Sequence, residues 1–429
     1  MQIRPLADAY VTVYESPDPD RVFCYSPGLA RLPGGRLIAT MDLGGPGVAD
    51  LPGKHADIPE CQPTWQGRIY TSDDRGETWD LRATFPFMHA RPFVAGDAVY
   101  VLGHAGDLMI IRSDDRGETW SEPRRLTDGE TWHQAPCNVH HAHGCVYLVM
   151  EKRVSHRIET WPVGELAPVL MRGRVDTDLT RRGSWTFASE LPFFDAVANV
   201  EVAPELDNFG VPFFACPYPR GSQVAPGLSC APIGWLETNV VQFTDPDHLW
   251  YDPSGRTYHL WMRAHTGGTG YACIAKVVEQ GEQPGTGPME TRLETVPSGR
   301  RALYLPCPGG QMKFHVLYDP ETARYWLLST QATDSMTRPD RLSADRYNLP
   351  NNERRRLQLH VSKNMVDWCF AGLVAVGPAE YASRHYASMV IDGEDLHVLS
   401  RSGDERAHDA HNGNLITFHT IRNFRDLVY

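Results

Sequence analysis

Two arginines that end apolar segments are candidates for a charged binding site. Arg263 ends the segment HLWMR and Arg401 ends the segment LHVLSR, so both follow residues that belong in a protein core. A buried guanidinium is costly unless an anionic group neutralises it. The anion is either a carboxylate of the protein or a bound ligand, and we favour the bound ligand.

Two clusters of polar side chains raise the question of a metal ion. Alternating histidines can bind Zn²⁺, but no C-x-x-C or H-E-x-x-H spacing supports a zinc site, and the pattern is also common on surfaces. A structural role is favoured for the second cluster, with a channel ion as the alternative. The sequence requires no cofactor and leaves a structural or channel Ca²⁺ or Zn²⁺ ion open. The clusters are His133, His140, His141 and His143, and then His408, His411 and Asn412.

A short motif occurs twice and predicts the elements that position these residues. TSDDRGETW spans residues 71–79 and RSDDRGETW spans residues 112–120, so the two tryptophans are 41 residues apart. A repeat of this length is typical of one propeller blade. In S-x-D-x-G-x-T-W, Ser and Asp can bond the turn backbone, Gly permits a left-handed residue and Trp packs beneath the hairpin. The motif resembles the Asp-box of sialidase-like propellers, and its side chains serve the turn.

Short alternating strands surround both motifs and predict an all-β fold. We expect one β-propeller domain over residues 1–429, with four strands in each blade. The length accommodates seven blades, with six as the alternative. The final strand, LITFHTI, is expected to complete the first or the last blade, so that no sheet edge is left exposed. Residues 155–232 and 331–356 lack periodicity and are predicted to be loop insertions over one face, where functional loops tend to lie.

Composition and charge exclude several classes of partner. The net charge of -12 argues against nucleic acid, although basic residues focused in a cleft could still attract an anion.

Nine cysteines without a C-x-x-C pair indicate mostly free, buried thiols. The N-terminus has no apolar signal-peptide core, and no run of eighteen apolar residues predicts a membrane span. A cytoplasmic location is expected, or a secreted or periplasmic one if a leader has been removed.

The first propeller strand tests the resemblance to sialidases. A sialidase carries Y-R-I-P-x-L there, and its Arg is the first of three that clamp the substrate carboxylate. This chain reads Tyr25-Ser26-Pro27-Gly28-Leu29 at that place, so the first arginine of the clamp is missing. Exo-sialidase activity is therefore disfavoured.

Four segments carry a closer resemblance to seven-bladed Asp-box propellers that act on rhamnose–uronate linkages. Those families are the ulvan lyases, the rhamnose–glucuronate lyases and the propeller α-L-rhamnosidases. The stretch around FFACPYPRGSQVAPG and the length between Tyr147 and Arg263 depart from their pattern. The matching segments are SPGLARLPGGRLIAT, MHARPFVAGDAVYVLGHAGDLMIIRSDDRGETW, GWLETNVVQF with LWMR, and IDGEDLHVLSRSG with AHDAHNGNLITFHTIRNFRDLVY.

The resemblance implies arginines on the uronate, with His and Tyr around the sugar. By local motif, the implied catalytic residues are His89 in MHARPF, His104 in VLGHAG and Tyr147 in GCVYLVME. The implied substrate-binding residues are Arg263, Arg401 and Arg172, the last in LMRGRVD, and Glu237 in GWLETN is a candidate partner for an arginine or a sugar hydroxyl. The plainer alternatives are hydrogen-bonded wall residues for the histidines and a core tyrosine for Tyr147.

The favoured function is a polysaccharide lyase that performs β-elimination at a rhamnose–uronate linkage. Removing the proton beside a carboxylate requires that the carboxylate be neutralised, which calls for arginine together with a base and an acid. The first alternative is hydrolysis of the α-L-rhamnosidase type, for which the sequence offers no convincing Asp/Glu pair. The second is a non-catalytic propeller that binds glycan or protein. The expected partner is an acidic oligo- or polysaccharide, and the oligomeric state stays open.

Overall fold

The chain folds into six antiparallel sheets that form the blades of a β-propeller. This architecture comes from a computed structural model, which describes residues 4–56, 64–198, 221–230, 232–343, 346 and 349–428. The expectation of an all-β propeller is confirmed, but the expectation of seven blades is wrong. Residues 331–356 join two strands of one blade, as expected of a loop insertion. The expectation of a loop insertion over residues 155–232 is wrong in part, because two strands of blade 3, Leu166–Arg174 and Trp185–Phe187, lie within that segment. Neither segment adds a blade in the described residues, which is why the chain length overstated the number.

Blades 1 to 3 occupy the first part of the chain. Each runs in strand order from the central axis outward, and the first strand of blade 3 is interrupted, so its two short pieces pair with the same neighbour. The strands of blade 1 are β2 Phe23–Arg31, β3 Leu37–Gly44, β4 Gln66–Ser72 and β5 Asp80–Phe85; of blade 2, β6 Met88–Ala95, β7 Ala98–Ala105, β8 Asp107–Ser113 and β9 Arg124–Arg125; of blade 3, β10 Trp132–His133, β11 His140–Ala142, β12 Cys145–Arg153, β13 Leu166–Arg174 and β14 Trp185–Phe187.

Blades 4 to 6 follow, and the strand β1 Val11–Glu15 from the start of the chain joins blade 6. Two small hairpins, β15 Ser222–Ala225 with β16 Leu228–Cys230 and β21 Glu294–Thr295 with β22 Arg301–Ala302, lie outside the blades. The strands of blade 4 are β17 Gly234–Val241, β18 Thr257–His265, β19 Tyr271–Glu279 and β20 Met289–Arg292, with β23 Tyr304–Pro306 beside β19; of blade 5, β24 His315–Asp319, β25 Arg324–Thr330, β26 Arg356–Ser362 and β27 Cys369–Val376; of blade 6, β28 Arg384–Asp392, β29 Asp395–Ser402 and β30 Leu415–Ile421.

Helix is scarce in the described residues. The α-helix α1 spans Phe193–Val197, and the remaining helical pieces are single 3₁₀ turns at Val48–Asp50, Val163–Glu165, Arg182–Ser184, Pro339–Arg341, Pro350–Asn352 and Phe424–Leu427. None of the described helices is long and apolar enough to cross a membrane.

The ring closes by pairing the two ends of the chain. β1 is the outermost strand of blade 6 and pairs antiparallel with β30, so the strand LITFHTI is the third strand of the last blade. Just before β1, the backbone N–H groups of Leu6 and Ala7 donate to the carbonyls of Leu373 and Val374 at 2.7 and 2.9 Å. The N-terminal segment therefore joins the outer edges of blades 5 and 6.

Both Asp-boxes use their side chains within the turn. The Ser72 hydroxyl accepts the Gly76 N–H at 2.8 Å, and Asp74 accepts the Thr78 N–H at 2.9 Å. The hydrogen bonds from Thr78 lower the pKa of the Asp74 carboxyl to about 2. The second motif repeats these contacts with Ser113, Asp115, Gly117 and Thr119. Trp79 and Trp120 are only half-buried, so the tryptophans cap the blade surface.

Apolar side chains fill the spaces between neighbouring blades, and five of the described cysteines are buried in the protein interior. Cys24, Cys137, Cys145, Cys273 and Cys307 are buried free thiols, and Cys369 is exposed. Cys61 and Cys216 lie outside the described residues, as does most of the segment FFACPYPRGSQVAPG.

Candidate functional site

A cavity of about 510 Å³ opens at one end of the central axis. Side chains from blades 1 to 6 contribute to its wall, as expected where the innermost strands of a propeller converge. Ser388 shows that convergence, because its hydroxyl oxygen in β28 lies within hydrogen-bond distance of the carbonyls of both Pro27 and Pro136, at 2.7 and 3.0 Å. The polar and aromatic residues of the wall include Tyr25, Trp65, His89, His104, His133, Trp161, Glu237, Arg263, Asn352, Arg354, Tyr386, Arg401 and His411.

Four inner strands are broken at the same place, where the cavity begins. The ladders β2–β3, β6–β7, β17–β18 and β28–β29 each shift register there, and one residue in each shift has a left-handed backbone. Such bulges re-aim side chains, and the strained conformation marks functional positions in many proteins. The four residues all line the cavity: Ser26 with φ 47°, His89 with φ 55°, Glu237 with φ 59° and Tyr386 with φ 51°.

Three guanidinium groups lie on the wall formed by blades 4 to 6. Arg263 lies at the end of β18, Arg354 just before β26 and Arg401 near the end of β29, and each is at most 3% exposed. Arg401 lies 4.2 Å from the centre of the Tyr25 ring and 5.4 Å from that of Tyr386, and Arg354 also lies 5.4 Å from the Tyr386 ring. Stacking on aromatic faces fixes the orientation of the Arg354 and Arg401 guanidiniums. Arg354 also lies 3.0 Å from Nδ1 of His385, and Arg401 donates to the His411 carbonyl.

Glu237 and Tyr386 form a hydrogen-bonded pair beside Arg263. The Tyr386 hydroxyl donates to Oε1 of Glu237 at 2.5 Å and accepts Nη1 of Arg263 at 2.8 Å. Arg263 also lies 3.4 Å from the Glu237 carboxylate and donates to Asn352 at 3.0 Å. Burial raises the pKa of Tyr386, so the phenol is protonated at neutral pH. Glu237 is positioned to accept that proton.

Two histidines of blade 2 form a second pair. Nδ1 of His89 lies 3.0 Å from Nε2 of His104. Burial lowers the pKa of His104 to about 3 and lowers the pKa of His89 well below its usual value, so both rings are neutral at pH 7. The His89 backbone N–H donates to Oδ2 of Asp42 at 2.6 Å, and burial raises the pKa of that carboxyl to about 8. Asp42 therefore supports the bulge that aims His89 at the cavity.

Five of the seven sequence-predicted site residues share this cavity. They are His89, His104, Glu237, Arg263 and Arg401. The histidine pair lies on blade 2, and the other three lie on blades 4 and 6, so residues far apart in sequence meet at the axis. Their roles in binding or catalysis stay predictions.

The structure places Tyr147 and Arg172 outside the cavity, which corrects their expected position. Tyr147 stacks on Tyr258 with ring centres 4.3 Å apart and donates to Glu279 at 3.0 Å. Arg172 donates to the same carboxylate at 2.5 Å. Strand alternation directs both side chains into the packing between blades 3 and 4, where Glu279 neutralises the guanidinium. They form a buried structural network.

No metal site emerges from the histidine-rich segments in the part of the chain that the structure describes. No group of three or more His, Cys, Asp or Glu side chains there has the geometry to hold an ion. His140 lies 3.2 Å from Gln242, and His141 lies 2.8 Å from the carbonyl of Val94. His133 and His411 instead face the cavity, and Asn412 accepts the Tyr25 hydroxyl at 2.5 Å.

Several cavity residues were not found by sequence reasoning. Arg354 and Asn352 belong to the predicted insertion 331–356, which was expected to lie over a functional face. That expectation could have identified them as candidate site residues. Tyr386 occupies the same place in the bulge of β28 as His89 does in the bulge of β6, and an alanine follows each of them. Aligning the blades on this bulge would have identified Tyr386. Trp65 and Trp161 lie in loops without a repeat signal.

Comparison with known proteins gives similarity of fold. No family model matches the chain, and no curated protein matches it. A Trypanosoma rangeli sialidase in complex with 2,3-difluorosialic acid superposes with a TM-score of 0.54 at 11% identity, over 99% of this chain and 60% of that one. The intramolecular trans-sialidase of Ruminococcus gnavus gives 0.52 at 11% identity over 97% and 98%. The Hadza microbial sialidase Hz136 gives 0.52 at 15% identity over 96% and 68%. At these identities the likeness establishes a sialidase-like β-propeller fold and nothing further.

Proposed function

We propose that the protein is a carbohydrate-active enzyme that binds a carboxylate-bearing sugar in the central cavity and cleaves its glycosidic bond. The observation that carries this proposal is the meeting of three guanidiniums with the Tyr386–Glu237 pair in one cavity. Arginine binds carboxylates through paired, charge-assisted hydrogen bonds. A local cationic wall can attract an anion despite the net charge of -12.

Hydrolysis through Tyr386 is the chemistry that this geometry favours. A nucleophile, a base in hydrogen-bond contact and a group orienting both are the usual elements of covalent catalysis. Here the Tyr386 oxygen would bond to the anomeric carbon while Glu237 takes the phenolic proton. A phenol suits an acidic sugar because, unlike a carboxylate, it does not repel the substrate's negative charge before it reacts.

His89 would exchange the second proton of this reaction. The bound carboxylate favours the imidazolium form, which can protonate the leaving oxygen as the glycosidic bond breaks. Water then attacks the glycosyl–tyrosine bond, His89 takes the water proton, and Glu237 returns its proton to the departing phenolate. The sialidase of Trypanosoma rangeli, which is described as a covalent intermediate with its difluorinated sialic acid, has a propeller of similar fold and supports this proposal by analogy.

β-Elimination at a rhamnose–uronate linkage, the reaction that the sequence favours, is the second candidate. The neutral His89–His104 pair supports it, because a neutral imidazole can accept the proton beside a carboxylate that guanidiniums neutralise. The bond from the neighbouring carbon to the leaving oxygen would then break, and that oxygen would take the phenolic proton of Tyr386.

Product analysis separates these candidates. The protein is incubated with uronate-containing and sialylated glycans, and both new reducing ends and the ultraviolet absorbance of an unsaturated uronate are recorded. Hydrolysis gives reducing ends without the absorbance, and elimination gives both. Binding without either product would identify a non-catalytic glycan-binding propeller. Absence of binding to every acidic glycan would contradict the proposal.

A further inference from the structure

We propose that the cavity contains a second sugar subsite, on the wall formed by blades 2 and 3, which takes a neutral sugar joined to the acidic one. This inference rests on the proposed function and adds a requirement for a substrate of at least two sugars. The subsite would be formed around Trp161 and His133, whereas the three guanidiniums lie on the wall of blades 4 to 6.

The charges of the two walls differ. Arg263, Arg354 and Arg401 belong to blades 4 to 6, whereas the wall of blades 2 and 3 includes Arg153 and the exposed Glu159. Arg153 is engaged within its own blade, since Nε donates to Glu165 at 3.0 Å and Nη2 donates to the Ile158 carbonyl at 2.8 Å. The nearby Glu159 carboxylate opposes an anion. This wall is therefore suited to an uncharged group.

Aromatic rings connect the second wall to the first. The distances between successive ring centres run from Trp161 to His133 at 5.2 Å, from there to His89 at 5.2 Å, to Trp65 at 6.2 Å and to Tyr25 at 5.1 Å. Arg401 covers the Tyr25 ring at the end of this series. A chain of two or more pyranose rings could pack along such a path, because their C–H faces are apolar and their rims carry hydroxyls.

Trp161 is the most exposed of the aromatic residues that line the cavity. Its side chain is 41% exposed at the cavity, and its ring plane is nearly perpendicular to that of His133, at 82°. Because this exposed ring lines the cavity, its face is accessible to a sugar that packs against the wall. The bond to be cleaved would then lie between Trp161 and the guanidiniums, close to His89.

Calorimetric titration with matched pairs of probes tests the subsite. One pair is methyl glucuronide and the disaccharide of glucuronate linked to rhamnose; the other is a methyl sialoside and sialyl-galactose. Titrations use Tyr386→Phe and Tyr386→Phe/Trp161→Ala proteins, so that slow turnover does not consume the disaccharide. For the pair that binds, the disaccharide should bind about tenfold more tightly than its methyl glycoside, and Trp161→Ala should remove most of that ratio.

Two further variants make the result decisive. Trp161→Phe should restore part of the affinity ratio between the disaccharide and its methyl glycoside. Tyr318→Ala removes an equally exposed aromatic ring outside the cavity and should leave that ratio unchanged. Equal affinity for both members of a pair, or an unchanged ratio in Trp161→Ala, would overturn the subsite while leaving the acidic-sugar site intact. Failure of all four probes to bind would overturn the proposed function, and the subsite with it.

Discussion

At the scale of single residues, the site depends on a buried arrangement of charges that compensate one another. Glu237 is 1% exposed, and an isolated carboxylate there would be strongly unfavourable. Arg263 and the Tyr386 hydroxyl together neutralise and hydrogen-bond it. The same contacts fix the position of the phenol for the proposed reaction.

Replacing Tyr386 by Phe removes the proposed nucleophile while keeping the ring against Arg354 and Arg401. We expect turnover to fall by about a hundredfold or more, because the hydroxyl takes part in bond making or in proton transfer. Binding of an acidic sugar, measured by calorimetry, should persist. Tyr258→Phe is the matched control, since Tyr258 is a buried tyrosine outside the cavity. Full activity in Tyr386→Phe would exclude the tyrosine from the chemistry.

Asp42 gives a prediction for the pH dependence of stability. Burial raises its folded-state pKa to about 8, so the proton is held more tightly in the folded protein than in the unfolded one. Its contribution to stability is therefore present below the unfolded pKa of about 4 and is lost as pH rises towards 8. Asp42→Asn keeps an acceptor for the His89 N–H and should remove this dependence. Urea midpoints of both proteins between pH 4 and 9 check it, and parallel curves would contradict it.

The residues of the site were only partly accessible to sequence reasoning, for a physical reason. Arg263 and Arg401 follow apolar strands, and the cost of burying a guanidinium drew attention to them. Tyr147 lies in a similar alternating strand, but alternation does not reveal which blade interface a side chain enters. Tyr386 escaped notice because a bulge, which strand periodicity does not show, turns it towards the axis.

At the scale of elements, the Asp-box of blade 1 also secures the ring. Gly76 has φ +91°, and a Cβ added there would lie 2.1 Å from the Phe418 ring in β30. Trp79 packs against the same ring with centres 5.3 Å apart. The turn of the first blade thus packs against the last one, which explains why the motif needs glycine at this position.

Substituting Gly76 by Ala should therefore destabilise the fold. The strained backbone and the overlap with Phe418 are expected to cost about 2–4 kcal/mol of unfolding free energy. Gly183→Ala, where an added Cβ meets no atom within 4 Å, is the control and should change stability by about 0.5 kcal/mol or less. Chemical denaturation compares them, and equal stability of the two variants would show that the Asp-box does not constrain the ring.

At the scale of the whole molecule, closure depends on the first residues of the chain. β1 covers β30, and Leu6 and Ala7 cover the edge of β27. Removing residues 1–15 would expose both edges, which then become available to other chains. We expect a lower thermal midpoint and light scattering that rises with protein concentration. A truncated protein as stable and monodisperse as the full chain would contradict this account of closure.

The propeller was predictable from the sequence, but the number of blades was not. Two well-formed Asp-boxes fix the period of a blade, whereas later blades carry only fragments such as Ser362, Asn364 and Trp368. Insertions within blades 3 to 5 change the spacing, so dividing the chain length by the repeat gave seven where the structure has six. The number of blades depends on how the whole ring closes, and a single repeat does not specify it.

The central claim is that the cavity selects a sugar by its carboxylate. The most direct measurement is a comparison, by calorimetry, of an acidic glycoside with its uncharged counterpart: a glucuronide against the matching glucoside, and a sialoside against its carboxamide. We predict that one acidic ligand binds at least about tenfold more tightly than its counterpart and that Arg401→Gln largely abolishes the difference. An uncharged ligand that binds as tightly as the acidic one, or a preference that survives Arg401→Gln together with Arg354→Gln, would contradict the claim.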